Sequence, residues 1–194
     1  GREIITKTYK INHSAIVDKI VKLTWGDVSV NEDDKKLRLK ANGITVIFNK
    51  TDGTIDSLRN EYSPTLLFRN GPVLVSGNAK PVSSRHYRDD DAYIFEVNYE
   101  GDLKYLRWKM FTSGWLSLEY EYQVTGPQQF LGITFDYPES NIIGVKWLGN
   151  GPYRVWKNRL SGVSLDVHQK FYNNTQTGSL PWIYPEFKGY YSDI

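Results

Sequence analysis

The chain of 194 residues contains no cysteine and a single methionine. Disulfides, thiol nucleophiles and thiolate metal sites are thereby excluded. A lack of thiols suits the cytoplasm as well as the periplasm or the exterior. Long hydrophobic runs are also missing, since no window approaches the roughly 18 apolar residues needed to cross a bilayer. The opening GREIITKTYKINHSAIV has neither an apolar core nor a cleavage pattern, so no targeting segment and no membrane partner are expected. Histidine is scarce: His13, His86 and His168 are spaced by dozens of residues, with no His-x-His pair, and no metal is expected. No glycine-rich phosphate loop follows a strand and opens a helix, so no nucleotide cofactor is expected. The net charge is only +2, and Glu32-Asp33-Asp34 and Asp89-Asp90-Asp91 interrupt the cations, which argues against nucleic acid as a partner. Helical periodicity is weak throughout. The best candidate, Ala15–Leu23, has a β-branched content that suits a strand equally.

What is present is aromatic and β-forming. Aromatic residues reach 14%, with 14 Tyr and 6 Trp, and these side chains favour strands and half-buried surfaces. Ile44–Phe48, Tyr93–Tyr99, Tyr105–Phe111 and Trp115–Tyr122 are rich in β-branched and aromatic residues, and several alternate apolar with polar. Asn42-Gly43, Asp52-Gly53, Glu100-Gly101-Asp102 and Ser113-Gly114 supply turns between them. Lys104–Gln123 reads as two antiparallel strands joined at Thr112-Ser113-Gly114. Short strands separated by glycine turns predict an all-β fold, a large antiparallel β-sandwich, and one domain over residues 1–194. The chain ends inside a plausible strand, Tyr190-Tyr191-Ser192-Asp193-Ile194, so an excised piece of a longer protein is expected.

Two blocks carry the candidate site. In WLGNGPYRVWKNR (147–159), Gly149, Asn150, Gly151 and Pro152 read as a tight turn, followed by Tyr153, Arg154, Trp156, Lys157 and Arg159. YPEFKGYY (184–191) follows, preceded by Trp182 and containing Glu186. Aromatic faces beside guanidinium and carboxylate groups suit a polyhydroxylated ligand, because sugar C–H faces stack on rings while hydroxyls need fixed donors and acceptors. The same residues also suit a sandwich core with arginines snorkelling over it. Trp147, Tyr153, Arg154, Trp156, Arg159, Trp182 and Glu186 are the expected substrate-binding residues.

These blocks resemble the small-chain, or domain 5, region of family 2 β-galactosidases. There a Gly-x-Gly-Pro turn precedes aromatics and a basic residue, and a Tyr/Phe-Pro-x-Glu-type block follows downstream. Trp147, Gly149, Gly151, Pro152 and Arg159 match the first pattern. Tyr153-Arg154 stands where the family usually has Glu-Asn, and Lys157-Asn158-Arg159 where it has Pro-Asp-Arg. Pro185-Glu186-Phe187-Lys188-Gly189 stands where a Glu-Asn-Gly run is commoner. LRLKANGITVIFNKTDGTIDSLRNEYSPTLL (37–67) is similar to the opening of that region, and the likeness runs from about residue 18 to the C-terminus. The resemblance implies the supersandwich fold shared with galactose mutarotase, here lacking its last strands. It implies an accessory domain that binds carbohydrate beside a catalytic (β/α)8 barrel of the parent chain. Both catalytic glutamates would then lie in that barrel, which needs about 250 residues of its own.

Two further readings stay open. An aldose 1-epimerase needs an acid at the ring oxygen and a base at the anomeric hydroxyl. His86, read as part of a polar loop, and Glu186 are the candidates, whereas His168 reads as a strand residue facing away from Leu165 and Val167. The family's paired-histidine motif is not found. The remaining alternative is a purely structural sandwich, and Asp89-Asp90-Asp91 itself reads as a charged loop rather than a carboxylate pair for glycoside hydrolysis.

Overall fold

The computed structural model describes residues 18–22, 26–63, 68–128, 130–151 and 163–171. The described residues up to Tyr137 form one compact unit and those from Pro138 onward a second. In the first unit Lys22 N–H donates to the Asp18 carbonyl at 2.8 Å, closing one helical turn inside the ambiguous 15–23 segment.

The described strands of the first unit all lie in antiparallel sheets, as the alternation predicts. One sheet has the order β1 (Ser29–Glu32), β2 (Lys36–Ala41), β3 (Ile44–Asn49), β4 (Ile55–Asn60). The other has the order β6 (Ala79–Asp89), β7 (Ala92–Gly101), β8 (Leu103–Phe111), β9 (Leu116–Tyr122). A small pair, β5 (Arg69–Leu74) with β10 (Ile133–Asp136), completes the unit. Each sheet is open, so the architecture is a sandwich and not a barrel.

Period-two burial explains the packing. In β2, Leu37, Leu39 and Ala41 are buried while Lys36, Arg38 and Lys40 are exposed. Their inward row meets Val46 and Phe48 of β3 and, from the other sheet, Phe95, Val97, Trp108 and Met110. The Phe48 ring sits 5.4 Å from Phe95 and 5.2 Å from Trp108, centroid to centroid, tying the two sheets together. Asn42 and Gly43 both take positive φ (42° and 77°), the two-residue turn that matches strand twist in the β2–β3 hairpin. The Asp52-Gly53 turn is pinned from the opposite sheet: Trp108 Nε1 donates to the Gly53 carbonyl at 2.8 Å, and the Tyr99 hydroxyl donates to the Asp52 carbonyl.

In the second unit a short 3-10 turn at Glu139–Asn141 precedes β11 (Gly144–Gly151), which pairs antiparallel with β12 (Ser164–Phe171). This corrects the turn expected over Gly149, Asn150, Gly151 and Pro152, of which Pro152 lies outside the described residues. Gly149 and Gly151 belong to a strand, and neither has positive φ. At Gly151 a Cβ would lie 2.7 Å from the His168 ring, which would have to move to admit it.

Candidate functional site

The outer face of the β6–β9 sheet carries the densest array of functional groups among the described residues. On β7, Tyr93, Phe95 and Val97 point into the core, so Ile94, Glu96 and Asn98 point outward. The same parity turns Tyr105, Arg107 and Lys109 outward on β8, Glu119 and Glu121 on β9, and Arg85 and Tyr87 on β6. Register then sets Arg85, Glu96, Arg107 and Glu119 directly opposite one another across all four strands. The result is a row of alternating charge, which is the favourable cross-strand arrangement.

Glu96 is the hub of that row. Its side chain is 7% exposed, and it accepts from Arg85 Nε and Arg107 Nε at 2.5 Å each and from the Tyr87 hydroxyl at 3.2 Å. Burial alone would push its carboxyl up; the Arg107 and Arg85 guanidinium groups outweigh this and hold it below the ordinary carboxylate range. Glu119 accepts from the Tyr105 hydroxyl at 2.5 Å and from Arg107 Nη1 at 3.3 Å, and the Tyr105 bond in particular lowers its carboxyl. Both tyrosines are thus anchored by their hydroxyls to carboxylates of the row. Each also has a guanidinium over its ring, Arg85 at 5.4 Å from Tyr87 and Arg107 at 5.6 Å from Tyr105. Burial pushes the Tyr87 hydroxyl up, and the Glu119 hydrogen bond does the same for Tyr105, so both remain donors at neutral pH. Chemically the face offers fixed donors, fixed acceptors and two oriented rings. Glu96 has no vacant role as an acid or base, because Arg85, Arg107 and Tyr87 occupy both its oxygens.

A second cluster lies at the edge where the two sheets meet. His86 is in strand β6 and not in a loop, and its side chain turns toward the intersheet space opposite Phe95. The polar sequence PVSSRHYRD concealed that strand, because an edge strand is wet on both faces. His86 Nε2 lies 3.1 Å from Glu32 Oε2, and Nδ1 lies 2.9 Å from the Tyr93 hydroxyl. A carboxylate only accepts, so Nε2 carries the proton, and in the neutral ring Nδ1 accepts from the phenol. Lys50 Nζ donates to the same Glu32 oxygen at 2.6 Å, and this bond lowers the Glu32 carboxyl. Next to it, Arg88 pairs with Asp27 and donates to the Val28 carbonyl at 3.0 Å. Of the charged loop expected at Asp89-Asp90-Asp91, Asp90 and Asp91 form the β6–β7 turn while Asp89 ends strand β6, and Lys109 pairs with Asp89 at 3.4 Å and Asp91 at 3.9 Å.

In the second unit Trp147 lies opposite His168 in the β11–β12 register, with ring centroids 5.3 Å apart, and its Nε1 donates to the Asn150 carbonyl at 3.3 Å. His168 occupies a strand, on the face opposite Leu165 and Val167. Tyr153, Arg154, Trp156, Arg159, Trp182 and Glu186 lie outside the described residues.

The row Arg85–Glu96–Arg107–Glu119 was not singled out from the sequence. Its signal was the lone Glu within YIFEVNY, a charge flanked by core residues, with YLRWKM and LSLEYEY placing charges at the same parity. No protein-family model matches the chain, and no curated protein matches it.

Proposed function

We propose that this chain is an accessory, non-catalytic β-sandwich that binds carbohydrate for a larger β-galactosidase-like enzyme of glycoside hydrolase family 2. The observation that carries the reading is the β6–β9 face, where Tyr87 and Tyr105 are anchored beside a fixed row of guanidinium and carboxylate groups. Rings held by their own hydroxyls offer C–H stacking at little entropic cost, and ordered charged groups supply directional bonds to hydroxyls. The resemblance of residues 37–67 and 147–159 to the domain 5 region adds the parent enzyme and the supersandwich fold to the proposal. The aromatic-basic segment after Trp147, with Tyr153, Arg154, Trp156, Arg159, Trp182 and Glu186, is its second contact region. Calorimetric titration of the 194-residue chain with galacto-oligosaccharides tests the binding. Saturable heat that falls in Tyr87→Ala and Tyr105→Ala is the expected result, and no binding of any saccharide at millimolar concentration refutes it. Sequencing the flanking gene should reveal a (β/α)8 barrel with two glutamates at strand ends.

A second reading, aldose 1-epimerase, is favoured by the hydrogen-bonded chain Tyr93–His86–Glu32, in which the Glu32 carboxylate accepts from the imidazole. It requires faster mutarotation of galactose by the chain, abolished in His86→Ala. A rate equal to buffer alone removes this reading.

A further inference from the structure

The β6–β9 face also places length and charge requirements on its ligand. Tyr87 lies opposite Ile94 and Tyr105 opposite Asn98, so the two rings are rooted two strands and four residues apart. With about 4.8 Å between strands and about 3.4 Å per residue, their backbone positions are about 17 Å apart. Because both hydroxyls reach in to the central row, at Glu96 and Glu119, the rings themselves are about 12 Å apart, a span of roughly three linked sugar units. The line between them runs over Glu96 and close to Arg107, the fixed centre of the row. The Arg85 side chain, 69% exposed, bonds Glu96 through its Nε and lies over the Tyr87 ring, so among the described residues its two Nη groups are available beside that line.

The charge balance on this face is negative. Among the described residues four cations (Lys80, Arg85, Arg107 and Lys109) stand among six carboxylates, those of Glu96, Glu100, Glu119, Glu121, Asp89 and Asp91. Each of these cations already pairs with a carboxylate. An acidic sugar would meet like charge with no cation in reserve, whereas a neutral hydroxylated chain meets donors and acceptors without that cost.

We infer that this face takes an extended, uncharged oligosaccharide lying diagonally from Tyr105 to Tyr87, rather than a single sugar or an acidic chain. The inference rests on the carbohydrate-binding reading above. Its specific consequence is a chain-length threshold set by the spacing of two platforms, each of which binds weakly alone.

The test is calorimetric titration of the full chain with β-linked galacto-oligosaccharides of increasing length and with oligogalacturonates of matched length. Affinity should rise about tenfold or more between the disaccharide and the tetrasaccharide and then level off, because the second platform is engaged only by the longer chain. Galacturonates of equal length should bind at least about tenfold more weakly. Tyr87→Ala and Tyr105→Ala should each reduce tetrasaccharide affinity to the disaccharide level. Tyr87→Phe keeps the ring but loses its anchor on Glu96, so its affinity should fall between the parent and Tyr87→Ala, and thermal melts of all the variants matching the parent exclude loss of folding as the cause. Equal affinity for mono- and tetrasaccharide, or a preference for galacturonates, overturns this inference and leaves the carbohydrate reading intact. Absence of binding at every length and charge overturns both.

Discussion

Replacing Glu96 by Gln isolates the one buried charge in the outer row. The substitution keeps volume and shape but removes the charge that two guanidinium groups share, and it turns an amide NH₂ toward one of them. Stranding a charge inside a protein by deleting its partner costs about 3–5 kcal/mol. The stranded groups here are more accessible, since Arg85 is 69% and Arg107 38% exposed, so water takes over much of what Glu96 supplied. Two charge-assisted bonds weakened in this partly wet setting amount to a loss of about 1–2 kcal/mol. For a unit of this size that lowers Tm by about 3 to 8 °C. The pH dependence supplies an independent check. The Glu96 carboxyl is held below its ordinary value of 4.5 in the folded chain, so its stabilising contribution is fully present above that pH. It is lost as pH falls through the lowered folded value. Urea denaturation of parent and Glu96→Gln should therefore show a constant gap from neutral pH down to about 5, narrowing steadily at lower pH. A gap below about 0.3 kcal/mol at pH 7, or one that does not narrow in acid, would falsify the assignment of Glu96 as an ionised hub.

Three core predictions follow from the packing. Phe48→Ala removes the ring that touches both Phe95 and Trp108 and should cost about 3–5 kcal/mol in denaturant unfolding; a loss under about 1 kcal/mol would show that the sheets do not pack through it. Gly53→Ala combines φ +69° with a Cβ 2.9 Å from Val97 Cγ2, so a loss of about 1–3 kcal/mol is expected, and a thermal melt unchanged from the parent contradicts the turn geometry. Tyr99→Phe leaves the Asp52 carbonyl without its hydroxyl donor and should destabilise by about 1–3 kcal/mol, with faster amide exchange around residues 50–54 as the local signature.

Much of the fold was legible because burial on one face of a strand writes itself as alternation. ITVIF, YIFEVNY, YLRWKMF and WLSLEYEY read as strands from that period and from their β-branched and aromatic content, and β3, β7, β8 and β9 lie where they place them. Turn chemistry was equally local: Asn42-Gly43 and Gly53 take the positive φ that those residue types tolerate. Strand β6 escaped, since PVSSRHYRD lies on a sheet edge and has no apolar period to display. The Gly-x-Gly element misled for a related reason. Glycine marks either a turn or a close approach, and only the position of His168 opposite Trp147, with its ring over Gly151, decides for the second.

The sequence by itself determined the class of the protein: antiparallel β across most of the described residues, without thiol chemistry and with aromatics in excess. These follow from composition and from periodicities that span a few residues. Tertiary structure alone decided which groups act together. Arg85, Glu96, Arg107 and Glu119 are up to 34 residues apart in the chain (119 less 85) and are aligned only by the registers of three strand pairs. Glu32 and His86, 54 residues apart, meet because the edges of two different sheets are brought together by a shared core. Register and sheet-on-sheet packing are long-range outcomes of burying the same apolar rows, and no local pattern encodes them.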